Sequence, residues 1–82
     1  MTSKVEIQAQ ELLLIANQLI QEHPSFVIGM RAHSVEEKDQ LLIFKGEYFL
    51  DEIGLPTSRT TQAFNVFKYL AQTLSPQFTL KP

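Results

Sequence analysis

Residues 41–50, Leu41-Leu42-Ile43-Phe44-Lys45-Gly46-Glu47-Tyr48-Phe49-Leu50, constrain this chain more than any other stretch. They form its densest apolar and aromatic run, with a helical pattern on either side. Such a run reads as the central strand of a small sheet on which both helices rest. Gly46 is its ambiguous point, marking either a bulge in one long strand or, with Lys45, a tight turn between two short ones. Lys-Gly is a poor primed-turn pair, which favours the bulge.

Ahead of that run, Val5, Ala9, Leu12, Leu13, Ile15, Ala16, Leu19 and Ile20 share one broad face at helical spacing. They predict a helix from about Lys4 to Glu22, capped by Ser3 with Glu6 and stopped by His23-Pro24. Ile7 and Leu14 fall on its far side, among Gln10, Gln18 and Gln21. Alternation from Ser25 to Ala32 predicts a strand, and Ser34 to Asp39 a polar connection of hairpin-loop length. Asp51 to Thr57 is a loop punctuated by Gly54 and Pro56. Thr57 or Ser58 then caps a second helix that runs to about Leu74 and stops at Ser75-Pro76. Ala63, Val66, Phe67, Leu70, Ala71 and Leu74 make its core face, with Phe64 at one edge and Tyr69 on the far side near Asn65. Gln77 to Leu80 alternates and can pair as a last, edge strand.

The expected fold is therefore a single α+β domain over 1–82. Its order is α-β-β-α-(β), with two helices packed on one face of a small antiparallel sheet. Which face of 41–50 points inward is undecided, because a one-residue slip exchanges the two sets of side chains.

Eighty-two residues without cysteine leave no disulfide and no thiolate ligand or nucleophile. A chain this short buries only about 60–65% of the surface its unfolded form exposes, so association would stabilise it. Nine acids against seven bases weigh against general attraction to nucleic acid or anionic lipid. The longest apolar run, Leu12 to Ala16, is too short to span a bilayer, and the first residues lack a signal-peptide pattern. The expectation is a cytoplasmic protein with no membrane contact.

Catalytic constellations are looked for without success. His23 and His33 lack the spacing of a metal pair, and no metal or cofactor is expected. His33, Ser34 and Asp51 supply the residue types of a hydrolase triad, with nothing that places the serine on a strained elbow. Glu36-Glu37 and Asp51-Glu52 read as solvated loop charges. Gly29, Gly46 and Gly54 are isolated and make no phosphate loop.

Two surfaces remain as candidates. The first is a protein-contact surface of Ile7, Leu14 and Tyr69, apolar residues set among amides on the outer sides of the helices. It suits a non-enzymatic subunit, adaptor or regulator, self-association included. The second is cationic, made of Arg31, Lys45, Arg59 and Lys68, with the hydroxyls of Thr57, Ser58, Thr60 and Thr61 around the start of the second helix. Helix–strand–strand–helix order, with Gly54-Leu55-Pro56-Thr57-Ser58-Arg59 ahead of a helix, resembles the double-stranded-RNA-binding domains. The likeness covers about half the chain, through element order. It implies phosphate contacts from a lysine cluster at that helix start. Here Thr60, Thr61 and Gln62 stand between Arg59 and the next cation, Lys68.

Overall fold

Three residues that fit a helical pattern form a strand instead. In the computed structural model, which describes residues 4–81, Val5–Ile7 is β1, and helix α1 starts only at Ala9 and ends at Glu22. The strands β2 (Ala32–Lys38) and β3 (Leu41–Gly46), the helix α2 (Ser58–Leu74) and the strand β4 (Phe78–Leu80) follow. The class is α+β with two helices, and the order is β-α-β-β-α-β. The expected cap at Ser3 lies outside the described residues.

Val-Glu-Ile alternates as well as it repeats, so local pattern does not decide between strand and helix. Tertiary pairing does. The tail strand runs parallel to β1, Val5 beside Phe78 and Ile7 beside Leu80. The Val5 N–H donates to the Gln77 carbonyl at 2.9 Å, and the Lys81 N–H to the Ile7 carbonyl at 3.0 Å. Ile7 consequently belongs to the core, 7% exposed, instead of the outer side of a helix.

The hairpin is displaced by several residues from its expected place. Ser25 to Arg31 is two successive turns, closed by Phe26 N–H to the His23 carbonyl and Met30 N–H to the Val27 carbonyl, both 2.9 Å. Pro24 presets the first turn, and Gly29 at φ +94° takes the left-handed position of the second. The polar stretch expected as a loop is β2 itself, paired antiparallel to β3 from Lys38↔Leu41 to Ala32↔Gly46. Asp39 and Gln40 form the two-residue turn, both at positive φ (52° and 69°), as a primed hairpin turn requires. Register is now settled. Val35, Leu42 and Phe44 face inward and are buried, while Glu36, Leu41, Ile43 and Lys45 face solvent. α1 packs on β2 and α2 on β3.

Gly46 is neither a turn nor the bulged residue. The irregularity lies across from it, where His33 is the extra residue between Ala32 and Ser34. A Cβ at Gly46 would stand 1.9 Å from the Arg31 carbonyl oxygen, so only glycine allows this approach. β3 ends there, and residues 47–50 are not strand.

Side chains tie the layers together. Asn17 on α1 pairs with both backbone groups of Ala32: its amide donates to the carbonyl at 3.1 Å and its oxygen accepts from the N–H at 2.8 Å. Glu37 on β2 accepts from the Thr79 hydroxyl (2.8 and 2.9 Å) and from the Leu80 N–H (3.0 Å), clamping β4 beside β2. The Leu80 amide first, then the Thr79 hydroxyl, hold its carboxyl below the usual glutamate range. Buried Thr60, in the first turn of α2, donates to the Tyr48 carbonyl and accepts from the Thr57 N–H at 2.9 Å.

Candidate functional site

A strand whose neighbour is missing presents unpaired backbone groups. The tail, expected as a last edge strand, pairs with β1, and among the described residues no strand pairs with the outer edge of β3. In a two-residue hairpin the residues flanking the turn exchange hydrogen bonds, and alternate residues along β3 therefore turn theirs outward. Leu41, Ile43 and Lys45 bond to β2, whereas Leu42 and Phe44 point away from it. The Leu42 N–H is taken by the Ser75 hydroxyl at 2.9 Å, at the end of α2. By the same alternation the Leu42 carbonyl and both groups of Phe44 point away from β2, within residues that are themselves buried.

A groove of about 510 Å³ runs along this edge. Leu41, Leu42, Ile43 and Phe44 line it consecutively. Neighbouring side chains of a strand point to opposite faces, so a cavity touching four in a row follows the strand's edge. The facing wall is a stripe of α2, Phe64, Phe67, Lys68, Ala71 and Gln72, at the three-and-four spacing of one helix side. Tyr48 closes one end, its ring 5.1 Å from Phe64 and 5.5 Å from Phe67. Phe64 is 55% exposed, and Leu41 is comparably open. Lys68 is the one ionisable group of fixed charge on this lining.

The residues expected at a contact surface do not come together. Ile7 is in the core, because it sits on β1 and not on α1. Leu14 is 73% exposed and lines a separate hollow with Asn17, Gln21, Phe26, Gly29, Met30 and Arg31. Tyr69, 39% exposed, rests edge-on against His23, with ring centres 4.9 Å apart.

The expected cationic surface is dispersed as well. Arg31 lies in the hollow with Leu14, and Lys68 in the β3–α2 groove. Lys45 is on the outer face of the hairpin, 3.9 Å from Glu36. Arg59 lies over the Phe49 ring at 6.0 Å, beside Glu47, Thr57 and Ser58. No cavity described holds two of these four. Two of the hydroxyls at the start of α2 are engaged, Thr57 donating to the Phe49 carbonyl at 2.7 Å and Thr60 to the Tyr48 carbonyl. Asp51 accepts from the Ile53 and Leu55 N–H groups at 3.0 and 2.9 Å, which folds its loop.

The groove was partly within reach of sequence reasoning. Phe64 already stood at the edge of its helical face, and edge positions are where a stripe meets whatever lies beside it. That β3 has no outer neighbour among the described residues follows only from where the tail pairs. Among the described residues, no helix is long and apolar enough to cross a membrane.

Comparison with known proteins places the chain among relatives. It is 45% identical over 74 residues to Protein YciN of Escherichia coli K12, covering 90% of this chain and 89% of that one. Protein YciN of the O6:H1 and O157:H7 strains matches to the same extent. A family profile described as a protein of unknown function (DUF2498) matches residues 3–81, and the chain belongs to that family.

Proposed function

We propose that this protein is a non-enzymatic interaction domain, a subunit, adaptor or small regulator, and that it binds another protein through the β3–α2 groove. The observation that carries the reading is the groove itself, an apolar channel between β3 and α2 with exposed Leu41, Ile43 and Phe64 along it. A contiguous exposed apolar strip of this kind is costly in water and is typical of a surface that a partner covers. Asp51, one of the carboxylates weighed for catalysis, has structural work in its turn, and Thr57 and Thr60, weighed for a polar binding edge, are held at the helix start. A cytoplasmic location is part of the same reading.

The test uses immobilised wild type and Phe64→Glu in an extract of the native organism. Phe64 is largely exposed, so the variant keeps the fold, which circular dichroism checks. A protein held by wild type, lost from Phe64→Glu and recovered with wild type as one species in gel filtration supports the groove. Equal retention by both refutes it, and loss on Leu14→Glu instead moves the contact to the α1 hollow.

A further inference from the structure

We infer that the β1–β4 ribbon is a latch on the hairpin, closed by the ionised Glu37 carboxylate and opened when that carboxylate takes up a proton. The inference is independent of the groove. It starts from how little holds the ribbon. Its two strands have three residues each and run parallel, and among the described residues neither pairs with any other strand. A short, two-stranded parallel pair gains little from its own ladder. Its hold on the molecule comes from Ile7 in the core, from half-buried Phe78 and Leu80, and from Glu37.

The position of Glu37 is unusual for a charged residue. Its register partner on β3 is Leu42, and paired residues share a face, so Glu37 lies on the inner side of the hairpin with Val35, Leu42 and Phe44. There its two oxygens share the Thr79 hydroxyl, and one of them also accepts from the Leu80 N–H. An ionised carboxylate only accepts, and such charge-assisted bonds are about twice as strong as neutral ones. Protonation turns one oxygen into a donor, and the Leu80 N–H, fixed in the backbone, cannot reverse to accept from it. Lys4, one residue ahead of β1, favours the ionised form while its ammonium donates to the Gln40 carbonyl at 3.0 Å. Of the other charged groups, β1 brings Glu6, in register with Thr79; Lys81 follows β4, and Asp39 lies in the hairpin turn. The last turn of α2 carries no base, β3 sets apolar Leu42 opposite, and Glu36 and Lys38 lie on the outer face. Because the closed ribbon lowers the Glu37 pKa, the latch holds at neutral pH and gives way as pH falls through that lowered value. The ribbon, the weaker unit, then opens ahead of the helices and bares Ile7.

The experiment is amide hydrogen exchange, followed residue by residue on wild type and Glu37→Gln, at neutral pH and in acid. Val5, Leu80 and Lys81 report on the ribbon, since their N–H groups donate to Gln77, Glu37 and Ile7. Leu70, buried on α2, reports on unfolding of the whole. In wild type the ribbon amides should open more readily than Leu70. Relative to Leu70, their opening should rise about tenfold or more on acidification. Glu37→Gln should show that rise already at neutral pH and gain nothing further in acid. Ribbon amides that exchange only together with Leu70 under both conditions overturn the latch. An acid response that survives in Glu37→Gln overturns the role of Glu37, and its loss in Glu6→Gln would assign it to that carboxylate instead. Should Glu37→Gln fail to fold, NMR titration of the Glu37 side chain in wild type decides. Ribbon opening that follows its midpoint supports the latch, and opening with a different midpoint refutes it.

Discussion

Replacing Asn17 tests how the hairpin is held. Its side chain makes the two backbone hydrogen bonds that a neighbouring strand would otherwise make at Ala32, at 2.8 and 3.1 Å. Ala32 is buried, so Asn17→Leu leaves an N–H and a carbonyl unpaired beside the hollow that Asn17 lines. A stranded buried backbone group costs about 1–3 kcal/mol. Partial hydration of the pair and the added apolar contact of leucine offset some of that. The net loss should be about 2–3 kcal/mol. For a domain of this size that corresponds to a fall in Tm of roughly 10–20 °C, measured by thermal unfolding and checked by urea titration. Asn17→Asp keeps the acceptor, removes the donor and sets a carboxylate against the Ala32 carbonyl. It should be comparably unstable at neutral pH and recover in part when acid protonates it. An Asn17→Leu protein that unfolds within about 0.5 kcal/mol of wild type would refute the clamp.

Gly46→Ala should cost about 3 kcal/mol or prevent folding, because its Cβ would collide with the Arg31 carbonyl; chemical denaturation measures it. Gln40→Gly should stabilise by about 1 kcal/mol, since Gln40 sits at φ 69° and glycine relieves that conformation while keeping the carbonyl that accepts from Lys4. The folded-state pKa of Glu37 is depressed, so its contribution is present at neutral pH. It is lost as pH falls through the ordinary carboxylate range and on through the lowered value. Urea midpoints should therefore converge between wild type and Glu37→Ala on acidification, and a constant gap would contradict this. Thr60→Val should loosen residues 48–49 by removing the hydroxyl that donates to the Tyr48 carbonyl, read as faster amide exchange there and about 1–2 kcal/mol of lost stability.

The helices were legible because burial at helical spacing leaves a local trace. Leu12, Ala16 and Ile20 on α1 and Ala63, Val66, Phe67, Leu70 and Leu74 on α2 are the buried positions their spacing indicates. The hairpin was misplaced because Phe26, Ile28 and Met30 alternate like a strand, although Ile28 is 89% exposed on a turn. Glu36, Glu37 and Lys38 carry a loop-like composition because one side of β2 meets water and Glu37 spends its charge on β4. Ile7 fitted an exposed helix side only while β1 was counted as helix. Lys68 and Phe64 were both noted, but nothing local joined them to Leu41 and Phe44.

By itself the chain determined its class, its two amphipathic helices, the stop signals at Pro24 and Pro76, and a short terminal strand, because each depends on near neighbours and solvent. The tertiary structure alone decided that the tail runs parallel to β1, that Gly46 lies against Arg31, and that an apolar groove lies between β3 and α2. Those are pairings between segments distant along the chain, and strand edges have no side-chain pattern that names their partner. The groove exists because one short strand chose another neighbour.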